Sequence, residues 1–469
     1  MKQNTFPLIA VALLALPLTL SAEDKSDDPL APWRSGVKIS VVAPKDGRHT
    51  MHSYFNTCPE SPDGKFVLFY ASTAKDGHHG EVCIRDRKTG EEKVLATNIN
   101  AEDAHRVACQ QWVSGGRRVV FHGERDGGWF VGCVDLDTGK ERLLARDQLA
   151  GWGQPDADIV PLYSPHWKPG AHPDLDLINV ATGEKTTPVT VDALKQAYPD
   201  WFAKTFGEQK PSIFFPILSP DLKRVFFKMA LATGDDPRST SASARQGLIC
   251  YGLAEKKFLY MNEKWGHPSW QPDSRHITEM HYTVYDSNDG SVKANPGMPT
   301  KAERAKGTAD GGKSAKGSGP DAPVATTKAE RAKAAAEGRT VTKGKGATEG
   351  KAAVASKPAT ESKPAADNTG AKFHDVSGDH PSVSPDGRLV VTDTIMTSFG
   401  GARNEWGIVL ADTKGTGQII LHHFDNSHGA KSWRVSHPHP VFSADGKRIY
   451  YNVSDGEFTR LHVAECAVP

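Results

Sequence analysis

The stretch Ser61–Ser72, SPDGKFVLFYAS, places a tight-turn signature directly before a run of apolar residues. Proline presets the backbone for a turn and glycine supplies positive φ, so this signature predicts a hairpin that leads into a buried strand. The pattern recurs at a spacing of about 50 residues once one low-complexity block is left out. The other copies are VSGGRRVVFHG from Val113, LSPDLKRVFFKM from Leu218, WQPDSRHITEM from Trp270, VSPDGRLVVTDT from Val383 and FSADGKRIYYNVS from Phe442.

A second turn, built on Thr-Gly, follows several of these copies. Its instances are IRDRKTGEEKVLA from Ile84, VDLDTGKERLLA from Val134 and INVATGEKTTPV from Ile178. Each unit therefore contains two hairpins, or four strands, and PHWKPGAHPDLDLINV from Pro165 supplies a degenerate seventh unit. The repeat predicts an all-β protein, a seven-bladed β-propeller of four-stranded blades. A helical pattern stands out only at about Val191–Phe206.

The first 22 residues are typical of a signal peptide, with an early lysine, an apolar run and small residues at Ser21 and Ala22. We therefore expect a secreted or periplasmic protein, and no later segment is long and apolar enough to span a membrane. A net charge of +1 gives no reason to expect a nucleic-acid partner, and we expect a monomer. Six cysteines allow up to three disulfides, or serve as small buried apolar residues.

Residues 288–371 differ from the rest of the chain in composition. Lys, Ala, Gly, Thr and Pro dominate, and TKAERAK occurs twice, from Thr300 and from Thr327. Such a block cannot bury enough apolar surface to offset the entropy of ordering it. It predicts a disordered insertion that divides the propeller into residues 23–287 and 372–469. A tolerated surface loop and a mildly basic arm for acidic polysaccharide are the two interpretations.

Histidines recur at one register before the turns of the last three units. His267, His380 and His439 each lie four residues before the turn serine or its equivalent, and His437 shares the strand face of His439. Equal register on neighbouring blades predicts that these imidazoles converge, which requires a proton or a metal between them. They form a candidate site for a divalent metal, Zn or Mn. The alternative is that His-Pro merely suits the start of a strand.

A second group of candidates comes from the second and third units. His105 and His122 flank the turn Ser114–Gly116 almost symmetrically, and Tyr163 lies near the start of the next inner strand. We expect these three side chains at the mouth of the central channel, where they are able to accept and donate a proton. The alternative is that they are ordinary polar residues of the rim.

Several blocks resemble known propeller-fold polysaccharide lyases. SHPHPVFSADGK from Ser436, DHPSVSPDGRLVVTD from Asp379 and GHPSW from Gly266 resemble the oligogalacturonate lyase family. HSYFNTCPESPDGK from His52, EDAHRVACQQW from Glu102, SIFFPILSPD from Ser212 and SHPHPVFSADGKRIYYNVSDGE from Ser436 are more similar to the ulvan lyases. The similarity covers essentially the whole mature chain except the insertion. It implies β-elimination at a uronic acid of an anionic polysaccharide.

The ulvan lyase resemblance implies a catalytic histidine pair, a tyrosine and an arginine. His105, His122 and Tyr163 match the first three, and no arginine matches the fourth. Arg106, Arg117 and Arg118 are the candidates to neutralise the substrate carboxylate in its place.

The oligogalacturonate lyase resemblance implies Mn bound by His380, His437, His439 and a glutamine, with His267 at the position of the base. Here Arg434 occupies the glutamine position, which favours the ulvan-type interpretation with a mainly structural metal. Two other classes of protein share this repeat or this fold. A TolB-like interaction module would not need histidines in register, and a propeller-gated serine peptidase would need a Gly-x-Ser-x-Gly turn that the sequence lacks.

Overall fold

The structure is a computed structural model that describes residues 28–45, 47–263, 266–294 and 378–467. The chain divides into two compact units, Met1–Gly297 with Pro364–Pro469, and Met298–Lys363. The second unit, the predicted signal peptide 1–22 and the predicted insertion beyond Ala294 lie outside the described residues. The first residues of that insertion do not, because Val292–Ala294 form a strand.

Helices are few among the described residues. The predicted helical segment is confirmed, and Thr190 begins it by accepting a hydrogen bond from the Ala193 N–H at 3.1 Å. In the part of the chain that the structure covers, no helix has the length and apolarity that crossing a bilayer demands. The helices are α1 (Ala31–Arg34), α2 (Val191–Ala197) and α3 (Pro199–Phe206), with 3-10 turns at Ser114–Gly116, Met280–Tyr282 and Met396–Phe399.

The described residues form antiparallel strands in sheets that follow one another along the chain. The first half contains β1 (Val37–Val41), β2 (His49–Met51), β3 (Phe66–Ser72), β4 (His79–Asp86), β5 (Glu92–Asn100), β6 (Gln111–Val113), β7 (Arg118–Arg125), β8 (Gly128–Asp135), β9 (Glu141–Arg146), β10 (Leu149–Ala150), β11 (Ile159–Tyr163), β12 (Leu175–Asn179) and β13 (Lys185–Val189). The second half contains β14 (Ser212–Leu218), β15 (Arg224–Ala232), β16 (Ser243–Gly252), β17 (Lys257–Asn262), β18 (Ser269–Trp270), β19 (His276–Glu279), β20 (Thr283–Asp286), β21 (Val292–Ala294), β22 (Ser382–Val383), β23 (Leu389–Ile395), β24 (Glu405–Asp412), β25 (Gln418–Asp425), β26 (Val441–Phe442), β27 (Arg448–Val453) and β28 (Arg460–Cys466).

Four-stranded sheets dominate, so the predicted all-β class and four-stranded unit are confirmed. Strands β10–β13, β14–β17, β18–β21 and β22–β25 each form one sheet in chain order. Strands β2–β5 and β6–β9 are two such groups that share one eight-stranded sheet, joined by the single residue pair Asn100↔Glu124. The last sheet has the order β1-β28-β27-β26, so the first strand of the described chain pairs with the last, from Val37↔Cys466 to Val41↔His462.

The recurrent turn is held by its own side chains. In the first copy the Ser61 hydroxyl donates to Asp63 Oδ1 at 2.5 Å and accepts from the Phe66 N–H at 2.9 Å, while Gly64 adopts φ +71°. Ser219, Ser384 and Ser443 donate to an aspartate two residues on in the same way. The serine and the aspartate thus fix the start of the following strand by local hydrogen bonds.

The spaces within and between the sheets are filled by apolar clusters, such as the one that includes Leu68, Trp112 and Phe121. All six cysteines are free, and Cys83, Cys109, Cys133 and Cys250 are buried. Of the two interpretations of the cysteines, the structure shows the small buried apolar residue. The short strands β18, β22 and β26 each follow one of the predicted histidines. The three histidines therefore lie at equivalent positions in three successive sheets.

Candidate functional site

Four histidines converge in the structure: His105, His380, His437 and His439. One ring nitrogen from each lies within 4.8 Å of the others. The ring centroid of His105 is 4.3 Å from that of His439 and 4.4 Å from that of His437, and His380 is 4.4 Å from His439. Three of the four are the predicted histidines of the last two units, and His105 joins them from the loop before β6.

A buried carboxylate orients two of these histidines. His380 Nδ1 lies 2.9 Å from both carboxylate oxygens of Asp393, which directs Nε2 of the same ring towards the other histidines. The His439 N–H donates to the same carboxylate at 3.1 Å, and the His439 carbonyl accepts from His52 Nε2 at 2.8 Å. These contacts hold His439 at φ +50°, a left-handed conformation that is rare for a residue with a side chain.

Three of the four imidazoles, those of His105, His437 and His439, are electrically neutral at neutral pH. Burial lowers the pKa of His105, His437 and His439 well below the ordinary histidine value, and the Arg434 guanidinium and the neighbouring imidazoles lower it further. Neutral imidazoles retain the lone pairs that coordinate a metal.

The four histidines fit a divalent metal. His380 Nε2 and both ring nitrogens of His439 are buried without a hydrogen-bond partner among the described residues, as are Nδ1 of His105 and of His437. Orphaned nitrogens facing one another are costly unless something binds them. An all-imidazole donor set with a carboxylate behind one ring suits Zn or Mn.

A cleft rich in cations adjoins the histidines. It is lined by Tyr54, His105, Arg106, Phe214, Phe215, Lys228, Arg245, His267 and Arg434. Among the described residues Arg245 and Arg434 have no carboxylate in ion-pair contact, and both carry an Nε without a hydrogen-bond partner. The cleft has a volume of about 20 Å³, and its unpaired guanidinium groups beside neutral imidazoles attract an anionic group.

Of the three arginine candidates, one lines the cleft and two do not. Arg106 lines the cleft, whereas Arg117 and Arg118 do not: Arg117 donates to the Ser114 carbonyl and Arg118 pairs with Asp135 on the outer strands. Arg245 and Lys228 also line the cleft and were not predicted from the sequence. Lys228 had a visible signal, because it interrupts the apolar run VFFKMALA of a strand that buries both faces.

Lys228 is almost fully buried and donates to the Gly266 carbonyl at 2.6 Å, directly before His267. Burial lowers the pKa of Lys228 to about 7, with a further contribution from the Arg245 guanidinium. Burial likewise lowers the pKa of His267 well below its ordinary value. His267 lies outside the group of four, with its ring centroid 4.6 Å from that of His380. It is therefore a neutral base facing the cleft.

His122 and Tyr163 do not stand at a wet channel mouth, which corrects the expectation from sequence. Both side chains are completely buried, and neither lines the cleft. The spacing around the Ser114 turn correctly predicts that His122 lies on β7, the strand after the turn. At that position the side chain is in the protein interior, where His122 Nδ1 accepts a hydrogen bond from the Ala150 N–H at 2.9 Å. The loop of His105 turns away from that strand towards the other histidines.

A buried carboxylate, Glu102, is the partner of His122. It accepts from His166 Nε2 at 2.8 Å, pairs with Arg106 and lies 3.9 Å from His122 Nε2. Burial raises the pKa of Glu102, but the Arg106 guanidinium and the His166 hydrogen bond outweigh it and lower the value below the usual range. Burial lowers the pKa of His122 and of His166 to about 4. This charged cluster fixes Arg106 from behind the cleft.

Tyr54 was not singled out from sequence, although it stands in the quoted block HSYFNTCPESPDGK. Its ring lines the cleft and lies 4.5 Å from that of His439, with Trp152 stacked behind at 5.9 Å. Burial raises the pKa of Tyr54 to about 12, so its hydroxyl is protonated at neutral pH. It is thus a proton donor next to the histidines.

No family model and no curated protein matches the sequence. Among solved structures the chain is similar to an oligogalacturonate lyase in complex with manganese, at 14% identity and a TM-score of 0.50 over 91% of this chain and 93% of that one. An oligogalacturonate lyase from Vibrio parahaemolyticus gives 14% identity and a TM-score of 0.49 over 92% and 93%. TolB from Acinetobacter baumannii gives 12% and 0.32 over 55% and 65%. At these identities the first of these similarities shows a shared fold.

Proposed function

We propose that this chain is a seven-bladed β-propeller lyase that cleaves a uronate-containing anionic polysaccharide by β-elimination. The observation that carries the proposal is the cluster of four converging imidazoles beside a cleft with unpaired arginines. The five four-stranded sheets and the two halves of the eight-stranded sheet, seven groups of strands among the described residues, support a count of seven blades. The activity of the structurally similar oligogalacturonate lyase supports the reaction class.

The reaction requires three groups. A base removes the proton on C5, a cation neutralises the adjacent carboxylate, and an acid protonates the oxygen that leaves C4. The C5–H electron pair becomes the C4=C5 double bond as the C4–O bond breaks, so no further reactant is needed.

The residues that line the cleft match these roles. His267, neutral at neutral pH, takes the C5 proton. Arg245 and Arg434 bind the carboxylate, since neither is paired with an acid of the described chain. Tyr54 donates its hydroxyl proton to the leaving oxygen. This assignment replaces Tyr163 with Tyr54 and moves the base from the His105–His122 pair to His267, because His122 and Tyr163 do not reach the cleft.

His105, His380, His437 and His439 would hold a divalent metal, Zn or Mn. When bound, such an ion would supply positive charge that neutralises the substrate carboxylate and makes the C5 proton more acidic. Within the chain, His105 belongs to both the histidine cluster and the wall of the cleft, so the two sites are contiguous.

The substrate is a uronate polymer of the ulvan or the oligogalacturonate type. The similarity to an oligogalacturonate lyase structure supports the second, whereas Arg434 stands where that family resemblance implies glutamine and so supports a site unlike that of the second. The signal peptide predicted for residues 1–22 supports a location outside the cytoplasm, where such polymers occur.

The test is an ultraviolet assay for unsaturated uronate on ulvan, heparan, alginate and oligogalacturonate. We expect product from at least one polymer with the wild-type protein and none with His267→Ala. Absence of product from every uronate polymer, with protein that carries its metal, would refute the lyase proposal and leave an interaction module of the TolB type as the better assignment.

A further inference from the structure

A second cleft, which none of the roles above uses, lies beside the Glu102 cluster. It has a volume of about 540 Å³, within the range of small-molecule sites. We call it the tryptophan cleft; Trp129, Trp167, Lys168, His172, Asp235 and Arg238 line it.

The aromatic corner of this cleft is fixed by its neighbours. The Trp129 and Trp167 rings meet edge to face with centroids 4.9 Å apart. The Arg238 guanidinium lies 5.4 Å from the Trp129 ring, donates to Glu124 at 2.8 Å and donates to the Ala101 carbonyl at 3.0 Å. Trp129 is partly exposed. A rigid indole with polar groups around it suits a pyranose, which has apolar C–H faces and a rim of hydroxyls.

The tryptophan cleft has the opposite charge to the histidine cleft. Four carboxylates face two permanent cations, Lys168 and Arg238. These carboxylates are Glu124, Asp147, Asp235 and Asp236. An excess of carboxylates repels a uronate but accepts sugar hydroxyls as hydrogen-bond donors. The cleft therefore selects an uncharged sugar.

One short segment touches both clefts. The Ala101 carbonyl accepts from Arg238 of the tryptophan cleft, and His105 and Arg106 line the histidine cleft. His166 donates to Glu102 within this segment, and its ring is 4.7 Å from that of Trp167. Residues 101–106 are buried, so the two clefts lie on either side of this segment and are separated by only a few residues of chain.

We propose that the tryptophan cleft is a second saccharide subsite, which binds an uncharged pyranose of the polymer whose uronate occupies the histidine cleft. The inference rests on the proposed lyase function and specifies its substrate. The preferred polymer alternates uronates with uncharged sugars, and a polymer made only of uronates would place a carboxylate against Asp235 and Asp236.

Saturation-transfer NMR tests the subsite without catalysis. The probes are methyl rhamnopyranoside, which is uncharged, and methyl galactopyranosiduronate, which carries one carboxylate. We expect wild type to bind both. Trp129→Ala should lose the uncharged probe and keep the uronate, whereas Arg245→Ala should do the reverse. Trp129→Phe should retain the uncharged probe, because it keeps an aromatic ring.

A charge variant gives a second measurement on exposed residues that do not support the core. Asp235→Lys with Asp236→Lys should lower the KM for a uronate homopolymer by roughly tenfold, since it removes the repulsion. Asp156→Asn, an exposed acid elsewhere, is the matched control and should change nothing.

Each outcome decides one of the two proposals. If wild type does not bind the uncharged probe, or if Trp129→Ala still binds it, the subsite is wrong even when the enzyme is an active lyase. If Trp129→Ala loses only the uncharged probe and Arg245→Ala loses only the uronate, but no polymer is cleaved, the subsite is confirmed and the lyase proposal is wrong. An unchanged KM in the double-lysine variant overturns the charge selection.

Discussion

The Asp393 carboxylate lies 2.9 Å from His380 Nδ1, and the same carboxylate accepts the His439 N–H at 3.1 Å. His380 precedes β22 and His439 precedes β26, so one buried acid ties together histidines from two successive sheets. It sets the tautomer of His380, with Nδ1–H donated to the acid and Nε2 left to coordinate.

Replacing this acid should weaken the metal site more than the fold. In Asp393→Asn we expect metal affinity to fall roughly 10- to 100-fold, because the amide orients the imidazole but no longer raises its basicity. Titration calorimetry with Zn and with Mn measures the loss. Asp386→Asn, in the turn before β23, should lower stability and leave affinity unchanged. Equal affinity in Asp393→Asn and wild type would contradict this role.

Purified protein should carry about one equivalent of metal for each chain. His439→Ala should lose it, and chelation of wild type should lower the melting temperature, because an ion that binds only the folded chain stabilises that chain. Elemental analysis and a thermal scan measure both effects. His423→Ala, on an exposed ring, should retain the metal. Protein that is metal-free when purified without chelator would contradict the site.

The two tyrosines distinguish between the possible proton donors. Tyr54→Phe should reduce turnover roughly 100-fold or more, the usual scale for a missing acid. Tyr163→Phe should keep its activity and its melting temperature, since the Tyr163 hydroxyl is buried without a hydrogen-bond partner among the described residues. The ultraviolet lyase assay compares them directly. The opposite ranking would restore the ulvan-type assignment of Tyr163.

Charge neutralisation should depend on Arg245 and not on Arg117. Arg245→Ala should lower kcat/KM by two to three orders of magnitude, the range found when a charge-stabilising group is removed. Arg245→Lys should recover part of this, since the charge remains while the planar fork is lost. Arg117→Ala is the matched control because Arg117 is exposed on a turn. If Arg245→Ala kept the wild-type kcat/KM, the assignment of Arg245 as the residue that neutralises the substrate carboxylate would be wrong.

The Glu102 cluster should make stability depend on pH. His122 and His166 have a folded pKa of about 4, whereas the unfolded chain takes up protons from about pH 6.5 downward. The unfolded state therefore binds more protons between these values, and the free energy of unfolding falls as the pH drops from about 6.5 to about 4. Denaturant melts across this range measure the slope. His122→Gln should make it shallower, whereas His423→Gln should not.

The repeat and the histidine register could be predicted because both are local. A Ser-Pro-Asp-Gly turn specifies its own hydrogen bonds, and equal spacing before that turn places His380 and His439 at equivalent positions in successive sheets. The sequence predicts His105 in a different group, the one at the channel mouth. The path of its loop depends on tertiary contacts, and a repeat pattern contains no information on them. The four-histidine cluster was therefore predicted in three of its members.

The arginines of the cleft could not be placed in this way. Arg245 lies on β16 and Arg434 before β26, and their common cleft arises from sheet packing across almost 200 residues of sequence. The burial of His122 and Tyr163 likewise follows from which face of a strand meets the next sheet, a property that one sequence without coordinates leaves open.

The pairing of β1 with β28 has a consequence for how the metal centre is made. His437 and His439 lie at the entrance to the sheet that this pairing completes, and the His52 N–H donates to Asn452 Oδ1 across 400 residues of sequence. Contacts of such long range form late and slowly. A truncated or half-folded chain would therefore lack the full set of imidazoles that the proposed metal site requires, and would bind the ion less tightly than the finished molecule.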